Sequence, residues 1–303
     1  MKSVYKIDNE YNNSRLDRWF KRIICEIPQS LIEKNIRKGK IKVNKKKPKS
    51  SYKLKIDDEI EIFDINFKPN EHKKKILRYK ATKSELSSSS SMYVDVNENF
   101  VVVNKPAGIA VQSGTKSVRN LFDLLRETKE FKNSTLYPVH RIDKETTGIL
   151  IVAKNRKYAQ LFTSLFRIRK IHKTYLGIVI GELDKKKGTL IDDLIYYEGD
   201  KKVKSKAITH YSVLDSNNNY SLLKLNPETG RKHQLRRQLL LHGHPILGDT
   251  KYRISINKKG KSNNLMLHAY KINFSISSLK YNFLAKPPKN FLDILSEKYL
   301  KIR

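Results

Sequence analysis

The sequence has 303 residues and a formal net charge of +33 at pH 7, from 63 basic and 30 acidic side chains. This excess attracts polyanions and indicates nucleic acid as a partner, although a compositionally biased lysine-rich surface gives the same signal. Cys25 is the only cysteine, which argues against a disulfide framework and a cysteine-rich zinc site. No apolar run approaches the ~18 residues of a membrane span, and the N-terminus lacks an apolar signal segment. We therefore expect a soluble, cytoplasmic protein.

Residues 1–65 predict a small α/β module. Residues 4–7 alternate between apolar and other side chains, as in a short strand. A helix is expected after Ser14, its predicted N-cap. Its buried face consists of apolar residues at helical spacing: Leu16, Trp19, Phe20 and Ile23. At this spacing Trp19 is expected in the core rather than on a base-stacking surface.

A second helix is predicted to begin at Pro28 and to end at Gly39, which suits a C-terminal cap. Short strands are expected at 41–43, 52–56 and 60–63. Basic residues crowd the end of this helix and the turn after residue 44, which reads either as a solvated loop or as a phosphate-binding edge. We favour phosphate contact because the charges cluster on one edge.

This segment resembles the S4-like RNA-binding domains over residues 14–63. The resemblance is carried by S-R-L-D at 14–17 and I-R-x-G-x-I-x-V-N at 36–44. It implies a compact module that binds RNA. The residues predicted to contact RNA within it are Arg15, Arg37, Lys38 and Lys40.

Residues 66–91 are predicted to form a linker between two domains. The stretch mixes lysine and arginine with polar residues and ends in the serine run 87–91. Low hydrophobicity combined with high charge does not support a packed core.

The stretch 140–154 carries the strongest chemical signal. Asp143 lies on a polar loop that leads into the aliphatic run 149–152, which is typical of a strand buried on both faces. A carboxylate on a loop tied to the core can be held in one geometry, which suits catalysis. An aspartate that merely caps its own turn is the plainer alternative.

The sequence H-R-I-D-x-x-T-T-G-I-L-I-x-A-K at 140–154 resembles the signature of the RluA/RluC-type pseudouridine synthases, H-R-L-D-x-x-T-S-G-L-L-[LV]-x-A-K. Ile142 and Thr147 are mild departures from it. The resemblance places the family's nucleophilic aspartate on Asp143. It also implies that Arg141 fills the space vacated by a flipped nucleotide, with His140 beside it among the RNA-contacting residues.

Two further motifs resemble the same family. K-x-Y-x-x-x-V-x-G at 173–181 places the active-site tyrosine on Tyr175, although a lone tyrosine at a strand start is usually packing. T-G-R-K-H-Q-L-R at 229–236 places the arginine that pairs with the aspartate on Arg236, and Arg231 is expected to contact RNA. A helix is expected to open after Gly230.

Other elements of the large domain follow from periodicity. Helices are predicted at 121–126, after the N-cap Asn155, and from Asn290. The N-K-P-x-G turn at 104–108 resembles a family feature near the active site, but a simple structural turn explains it equally well. His242 and His244 suggest a metal only weakly, because a third ligand at suitable spacing is missing, so a hydrogen-bonded turn is expected instead. Strands are predicted at 100–103, 149–154, 173–181, 207–214, 220–225 and 265–270.

The fold class implied is α+β. A catalytic domain at 92–303 with a central mixed or antiparallel sheet, the pseudouridine synthase fold, follows the small module. The implied activity is isomerisation of uridine to pseudouridine in RNA, with large-subunit ribosomal RNA favoured as substrate. No cofactor and no metal are expected, and the protein is expected to act as a monomer. The alternatives are a synthase acting on tRNA and a non-catalytic RNA-binding or ribosome-assembly factor.

Overall fold

The computed structural model describes residues 2–25, 27–63, 90–112, 120–131, 135–198, 201–254 and 264–302. They belong to two compact units, Met1–Leu77 and Arg78–Arg303. The predicted linker at 66–91 lies outside the described residues except for its last two positions. No helix among the described residues is long and apolar enough to cross a membrane.

The first unit is a small antiparallel sheet packed with two helices. The sheet has the order β1-β3-β2. Trp19 is 3% exposed and belongs to the apolar core, as its helical spacing predicted. The elements are β1 (Lys2–Lys6), α1 (Leu16–Ile23), α2 (Gln29–Arg37), β2 (Ile41–Val43) and β3 (Glu59–Phe63).

Two expectations for the first unit were wrong. Arg15, not Ser14, is the N-cap of α1, and the Arg15 side chain makes no capping hydrogen bond. The strand expected at 52–56 does not form, because this segment bonds to the chain before α1 instead of to the sheet. The amide of Leu16 donates to the Tyr52 carbonyl at 2.8 Å, and the amide of Leu54 donates to the Ser14 carbonyl at 2.8 Å.

The second unit is built on one large sheet. Its strands are β4 (Tyr93–Val96), β5 (Phe100–Lys105), β6 (Tyr137–Pro138), β7 (Thr147–Ala153), β8 (His172–Ile180), β9 (Lys187–Glu198), β10 (Lys201–Ser216), β11 (Tyr220–Pro227), β12 (Leu267–Ile276) and β13 (Leu279–Leu284). Its helices are α3 (Leu121–Arg126), α4 (Arg156–Arg167), α5 (Gln234–Leu241) and α6 (Lys289–Glu297).

The strand order is β4-β5-β7-β12-β8-β11-β10-β9, with β13 paired to β12 and β6 paired to β7. The β7–β12 pair is parallel, whereas the other pairs described in this sheet are antiparallel. The predicted α+β class with a mixed sheet is therefore confirmed. The helix expected after Gly230 begins only at Gln234.

Strand β7 is the centre of the second unit. All of its residues are buried. Leu150 and Val152 pack into the apolar cluster that includes α3, whereas Ile149 and Ile151 pack into the cluster that includes Phe162 of α4. The aliphatic run is thus covered on both faces, as predicted, and it fixes the end of the loop that carries Asp143.

The hairpin formed by β9 and β10 was missed by the sequence reasoning, which predicted only residues 207–214 of it. The two strands pair antiparallel from Lys187 to Glu198 and from Lys201 to Ser212. Alternating lysines along β10 resemble a solvated surface segment. One face is nevertheless buried, through Leu194 and Ala207.

Gly148 is a position where the fold tolerates no side chain. Its φ is +107°, and a Cβ there would lie 2.2 Å from the carbonyl oxygen of Ala269 on the neighbouring strand β12. Gly108 has a similar φ of +79°, but a Cβ there would meet nothing within 4 Å. A comparison of substitutions at the two positions therefore distinguishes the cost of backbone strain from that of steric overlap.

We expect Gly148→Ala to lower the free energy of unfolding by about 3 kcal/mol or more, since a left-handed backbone and a backbone clash act together. Gly108→Ala, the control, should lower it by about 1 kcal/mol through backbone strain alone. Urea denaturation followed by circular dichroism measures both. Equal losses for the two variants would contradict this account.

Candidate active site

An open cleft with a volume of about 540 Å³ lies in the second unit. The three sequence motifs, which lie far apart along the chain, meet in it. Asp143, Tyr175 and Arg236 all line the cleft, as do Arg141, His140 and Arg231. The candidate residues of the large domain are therefore brought together, as the resemblance implied.

Asp143 presents its carboxylate to this cleft. Its Oδ2 accepts a hydrogen bond from Nη1 of Arg236 at 3.3 Å, and its Oδ1 lies 3.7 Å from Nε2 of His233. The side chain is 25% exposed. The amide of Thr146 donates to the backbone carbonyl of Asp143 at 3.2 Å, so the backbone does form a turn. The carboxylate contacts Arg236 and stays accessible, which is what a reactive group requires.

Arg236 is held by a second carboxylate that the sequence reasoning gave no role. Its Nε and Nη2 donate to the two oxygens of Asp249 at 2.6 and 2.8 Å, and the Asp249 side chain is fully buried. The expected pairing with Asp143 is therefore a single contact from Nη1, whereas the bidentate pair is formed with Asp249. The two-pronged geometry of guanidinium explains this division.

Asp249 is kept charged by its surroundings. Burial alone would raise the pKa of this carboxyl group. Hydrogen bonds from Arg236 and from the amides of Tyr252 and Lys251 outweigh burial and lower the pKa below its ordinary value. In the sequence Asp249 is an isolated aspartate after Gly248, with no local pattern that marks it as a partner of Arg236.

His233 approaches Asp143 from a strained backbone position. It is the N-cap residue of α5 and adopts a left-handed conformation with φ +54°. Its Nδ1 lies 2.9 Å from the Tyr252 hydroxyl, whose ring also packs 5.1 Å from the Arg236 guanidinium carbon. Burial lowers the pKa of His233, and nearby cations add to this effect against the opposing charge of Asp143. A neutral imidazole therefore faces the carboxylate.

Tyr175 lies at the start of β8 with its side chain in the cleft. Burial raises the pKa of Tyr175 above its ordinary value, and the Asp143 carboxylate raises it further. The hydroxyl therefore stays protonated at neutral pH. A neutral phenol is better suited to stacking on a nucleobase than to accepting a proton.

The neighbours of Asp143 in the first motif differ in their contacts. His140 accepts a hydrogen bond at Nε2 from the Ile151 amide at 2.8 Å and packs 4.6 Å from the Phe166 ring. Burial, with Lys173 as a second cause, lowers the pKa of His140 to about 3. His140 therefore ties the loop to β7, in addition to lining the cleft. Arg141 is exposed at the mouth of the cleft.

The mouth of the cleft is strongly basic. The mouth also contains the carboxylate of Glu228, which has basic partners of its own. Its Oε1 lies 2.7 Å from Nε2 of His210, and its Oε2 lies 3.9 Å from Nη1 of Arg169. Such a mouth attracts a phosphate backbone. The basic side chains lining the cleft, besides Arg236, are Arg141, Arg167, Arg169, Lys173 and Arg231.

The other four candidate residues belong to the first unit. Arg15 is largely occupied, since its Nη2 and Nε donate to Asp17 at 2.5 and 3.1 Å. Arg37 and Lys38 are exposed at the C-terminal end of α2, and Lys40 is half-buried. RNA contact by these residues stays a prediction.

His242 and His244 make separate hydrogen bonds. His242 Nε2 lies 3.2 Å from an oxygen of Asp192, and His244 Nδ1 lies 3.2 Å from the Ile180 carbonyl. The expected hydrogen-bonded turn is confirmed. The described residues contain no group of three or more His, Cys, Asp or Glu side chains arranged to hold a metal ion.

The buried side chain of Lys105 forms a hydrogen bond to the backbone of the loop that carries Asp143. Lys105 is 0% exposed, and its Nζ donates to the carbonyls of Pro106, Ile109 and Lys144 at 2.8, 3.0 and 2.9 Å. Burial lowers the pKa of Lys105 to about 7, against the opposing charges of Glu145 and Asp143. Its three acceptors match the three N–H groups of an ammonium. The sequence signal was a lysine at the end of a buried strand.

We expect Lys105→Met to lower the free energy of unfolding by about 3 kcal/mol, because the carbonyls of Pro106, Ile109 and Lys144 lose the lysine donor, with the Lys144 carbonyl keeping the Gly108 amide at 3.0 Å. Lys157→Met, at an exposed position on α4, is the control and should change stability by less than about 0.5 kcal/mol. Urea denaturation measures both variants. If Lys105→Met were as stable as the wild type, the hydrogen bonds donated by Lys105 would contribute nothing measurable to stability.

Known proteins are similar to this chain in sequence and in fold. Residues 99–241 match the family model described as RNA pseudouridylate synthase. The chain is 31% identical over 299 residues to the ribosomal large subunit pseudouridine synthase C of Buchnera aphidicola subsp. Baizongia pistaciae, with 94% of this chain and 93% of the relative covered. The protein of the same name from Rickettsia felis is 34% identical over 303 residues, with 93% and 95% covered.

A solved structure agrees with these relatives. Human RNA pseudouridylate synthase domain containing 4 superposes with a TM-score of 0.62 at 27% identity, over 71% of this chain and 96% of that one. The two bacterial relatives are more than 30% identical to this chain over more than nine-tenths of both chains, which indicates common family membership as well as a common fold. The cleft, the motifs and these relatives lead to one conclusion: the chain belongs to the RNA pseudouridine synthase family.

Proposed function

We propose that this protein isomerises specific uridines of large-subunit ribosomal RNA to pseudouridine, with Asp143 as the catalytic carboxylate. The observation that carries the proposal is the accessible Asp143 carboxylate held by Arg236 in a basic cleft. Relatives that match nearly the whole chain are named ribosomal large subunit pseudouridine synthase C, which supports ribosomal RNA as the substrate.

The reaction breaks the glycosidic bond between N1 and C1′, turns the base and joins C5 to C1′. One proton leaves C5 and one is gained at N1, so nothing is oxidised. A single carboxylate suffices as the partner of the sugar, either by attack at C1′ or by first helping to form a glycal. Both routes use Asp143.

The neighbours of Asp143 divide the remaining tasks. Arg236 supplies the countercharge through one Nη1 contact, which leaves carboxylate surface open to the sugar. Tyr175 stacks on the uracil as a neutral ring. The target uridine must leave its stack to enter the cleft, and Arg141 at the mouth fills the vacated space.

Other parts of the chain contribute to RNA binding. In this proposal residues 1–65 form an S4-like RNA-binding module, 66–91 a linker and 92–303 the catalytic domain. Exposed Arg37 and Lys38 of the module contact phosphates. The enzyme acts as a monomer in the cytoplasm.

The proposal is tested with ribosomal RNA transcripts that carry tritium at uridine C5. Wild-type protein should release tritium, and Asp143→Asn should release none while binding RNA as tightly, because the amide cannot act as the nucleophile. Asp192→Asn, which changes a carboxylate outside the cleft, is the control and should release tritium normally. Carbodiimide–primer extension then maps the modified positions.

Other outcomes decide between the alternatives. Tritium release only from tRNA transcripts would overturn the ribosomal substrate while keeping the chemistry. No release from either RNA, together with tight and salt-dependent binding, would indicate a non-catalytic assembly factor.

Asp249→Asn tests the support of Arg236. The variant keeps the volume but loses the charge that holds two of the guanidinium N–H groups, so Arg236 can turn towards Asp143. We expect kcat for tritium release to fall about 100-fold, as for an ångström-scale misplacement, with KM little changed. Asp192→Asn serves again as the control. A wild-type kcat for Asp249→Asn would show that Arg236 needs no second carboxylate.

A further inference from the structure

The hairpin of β9 and β10 has one face that the proposed chemistry does not use. Its opposite face is covered through Leu190, Leu194 and Ala207, where Gln238 of α5 donates to the carbonyls of Leu190 and Ala207 at 3.2 and 3.3 Å. Side chains alternate between the two faces of a strand. The exposed lysines of β10 therefore share the uncovered face: Lys202, Lys204 and Lys206.

These three lysines form a regular row of charge, hereafter the lysine row. Alternate residues of a strand lie about 6.6 Å apart, which is comparable with the spacing of phosphates along an extended single strand. No ion pair involving the row is found in the part of the chain that the structure describes, even though Asp193 lies directly across from Lys206. Three adjacent like charges repel one another and are stabilised by a polyanion.

The lysine row leads to the mouth of the cleft. Nε of Arg231, which lines the cleft, donates to the Lys206 carbonyl at 3.1 Å. Further along the same face His210 is bonded to Glu228, another residue of the cleft, at 2.7 Å. A strand of RNA lying on the row would therefore reach the cleft directly.

The uncovered face also offers apolar contact. Ile191 is 57% exposed and Ile195 is 36% exposed, and they pair with Ile208 and Lys204 of β10 on the same face. Sugars and unstacked bases provide apolar surface to match such side chains, whereas a duplex presents its phosphates and buries its bases. The combination of a charged row and flanking isoleucines favours a single strand.

We propose that the lysine row binds the backbone of a single-stranded RNA segment next to the target uridine and directs it into the cleft. The inference rests on the proposed function, since the cleft is taken as the site that receives the uridine. The proposed substrate-binding surface consists only of residues of the second unit.

The test compares two triple variants of the full-length protein that lose the same charge. Lys202→Gln with Lys204→Gln and Lys206→Gln removes the row. Lys280→Gln with Lys289→Gln and Lys301→Gln removes three exposed lysines elsewhere in the second unit. Binding to a short oligouridylate and to an RNA duplex of equal length is measured at several salt concentrations. All six substitutions are at exposed positions, and thermal unfolding checks that both variants fold as the wild type does.

Each phosphate contact contributes about 0.7 to the slope of log K against log salt for a single strand. We expect loss of the row to reduce the slope for oligouridylate by about 2, with a clearly smaller change in the control variant and for the duplex. Equal slopes for the two variants on oligouridylate, or a loss confined to the duplex, would overturn the proposal.

Tritium release from the ribosomal transcript separates this inference from the proposed function. Loss of the row should raise KM and leave kcat unchanged, because the row binds RNA without touching the reacting atoms. A wild-type protein that releases no tritium from any RNA would refute the proposed function, while the oligouridylate slopes would still decide whether the row binds RNA.

Discussion

One guanidinium group, that of Arg236, is shared by two carboxylates, and the geometry of the candidate site depends on this sharing. Asp249 occupies two of its N–H groups at 2.6 and 2.8 Å, which fixes the plane of the group. Asp143 receives the remaining contact at 3.3 Å. Burying a cation with only one partner costs free energy, because its desolvation is poorly compensated. With Asp249 as its main partner, Arg236 can place positive charge beside Asp143 and still leave that carboxylate accessible.

The loop that carries Asp143 is fixed independently of Arg236. Nζ of the buried Lys105 donates a hydrogen bond to the carbonyl of Lys144. At the end of the loop the Thr147 hydroxyl lies 2.8 Å from Nδ1 of buried His268, whose Nε2 lies 3.0 Å from the Ala285 carbonyl. Before Asp143, Nε2 of His140 accepts a hydrogen bond from the Ile151 amide at 2.8 Å. The loop thus has little freedom on either side of Asp143, and this is the condition under which a single carboxylate can act with precision.

The sequence allowed prediction of the parts of this site that local pattern and motif encode. Strand β7 and the meeting of Asp143, Tyr175 and Arg236 were correctly anticipated. The sharing of Arg236 was not, because the choice of Asp249 as the bidentate partner depends on how the chain after α5 folds back against that helix, 13 residues beyond Arg236. The β9–β10 hairpin was missed for a related reason: alternating lysines do not reveal that the other face of the strand is covered by a helix.

The most direct test of the central claim is the turnover of Arg236→Lys, followed by tritium release from uridine-labelled ribosomal RNA. Lysine keeps the positive charge but has no planar fork, so it cannot hold Asp249 at two points and contact Asp143 as well. The account predicts a loss of kcat of about 100-fold with RNA affinity retained. Turnover equal to that of the wild type would show that charge alone is sufficient and would contradict the account.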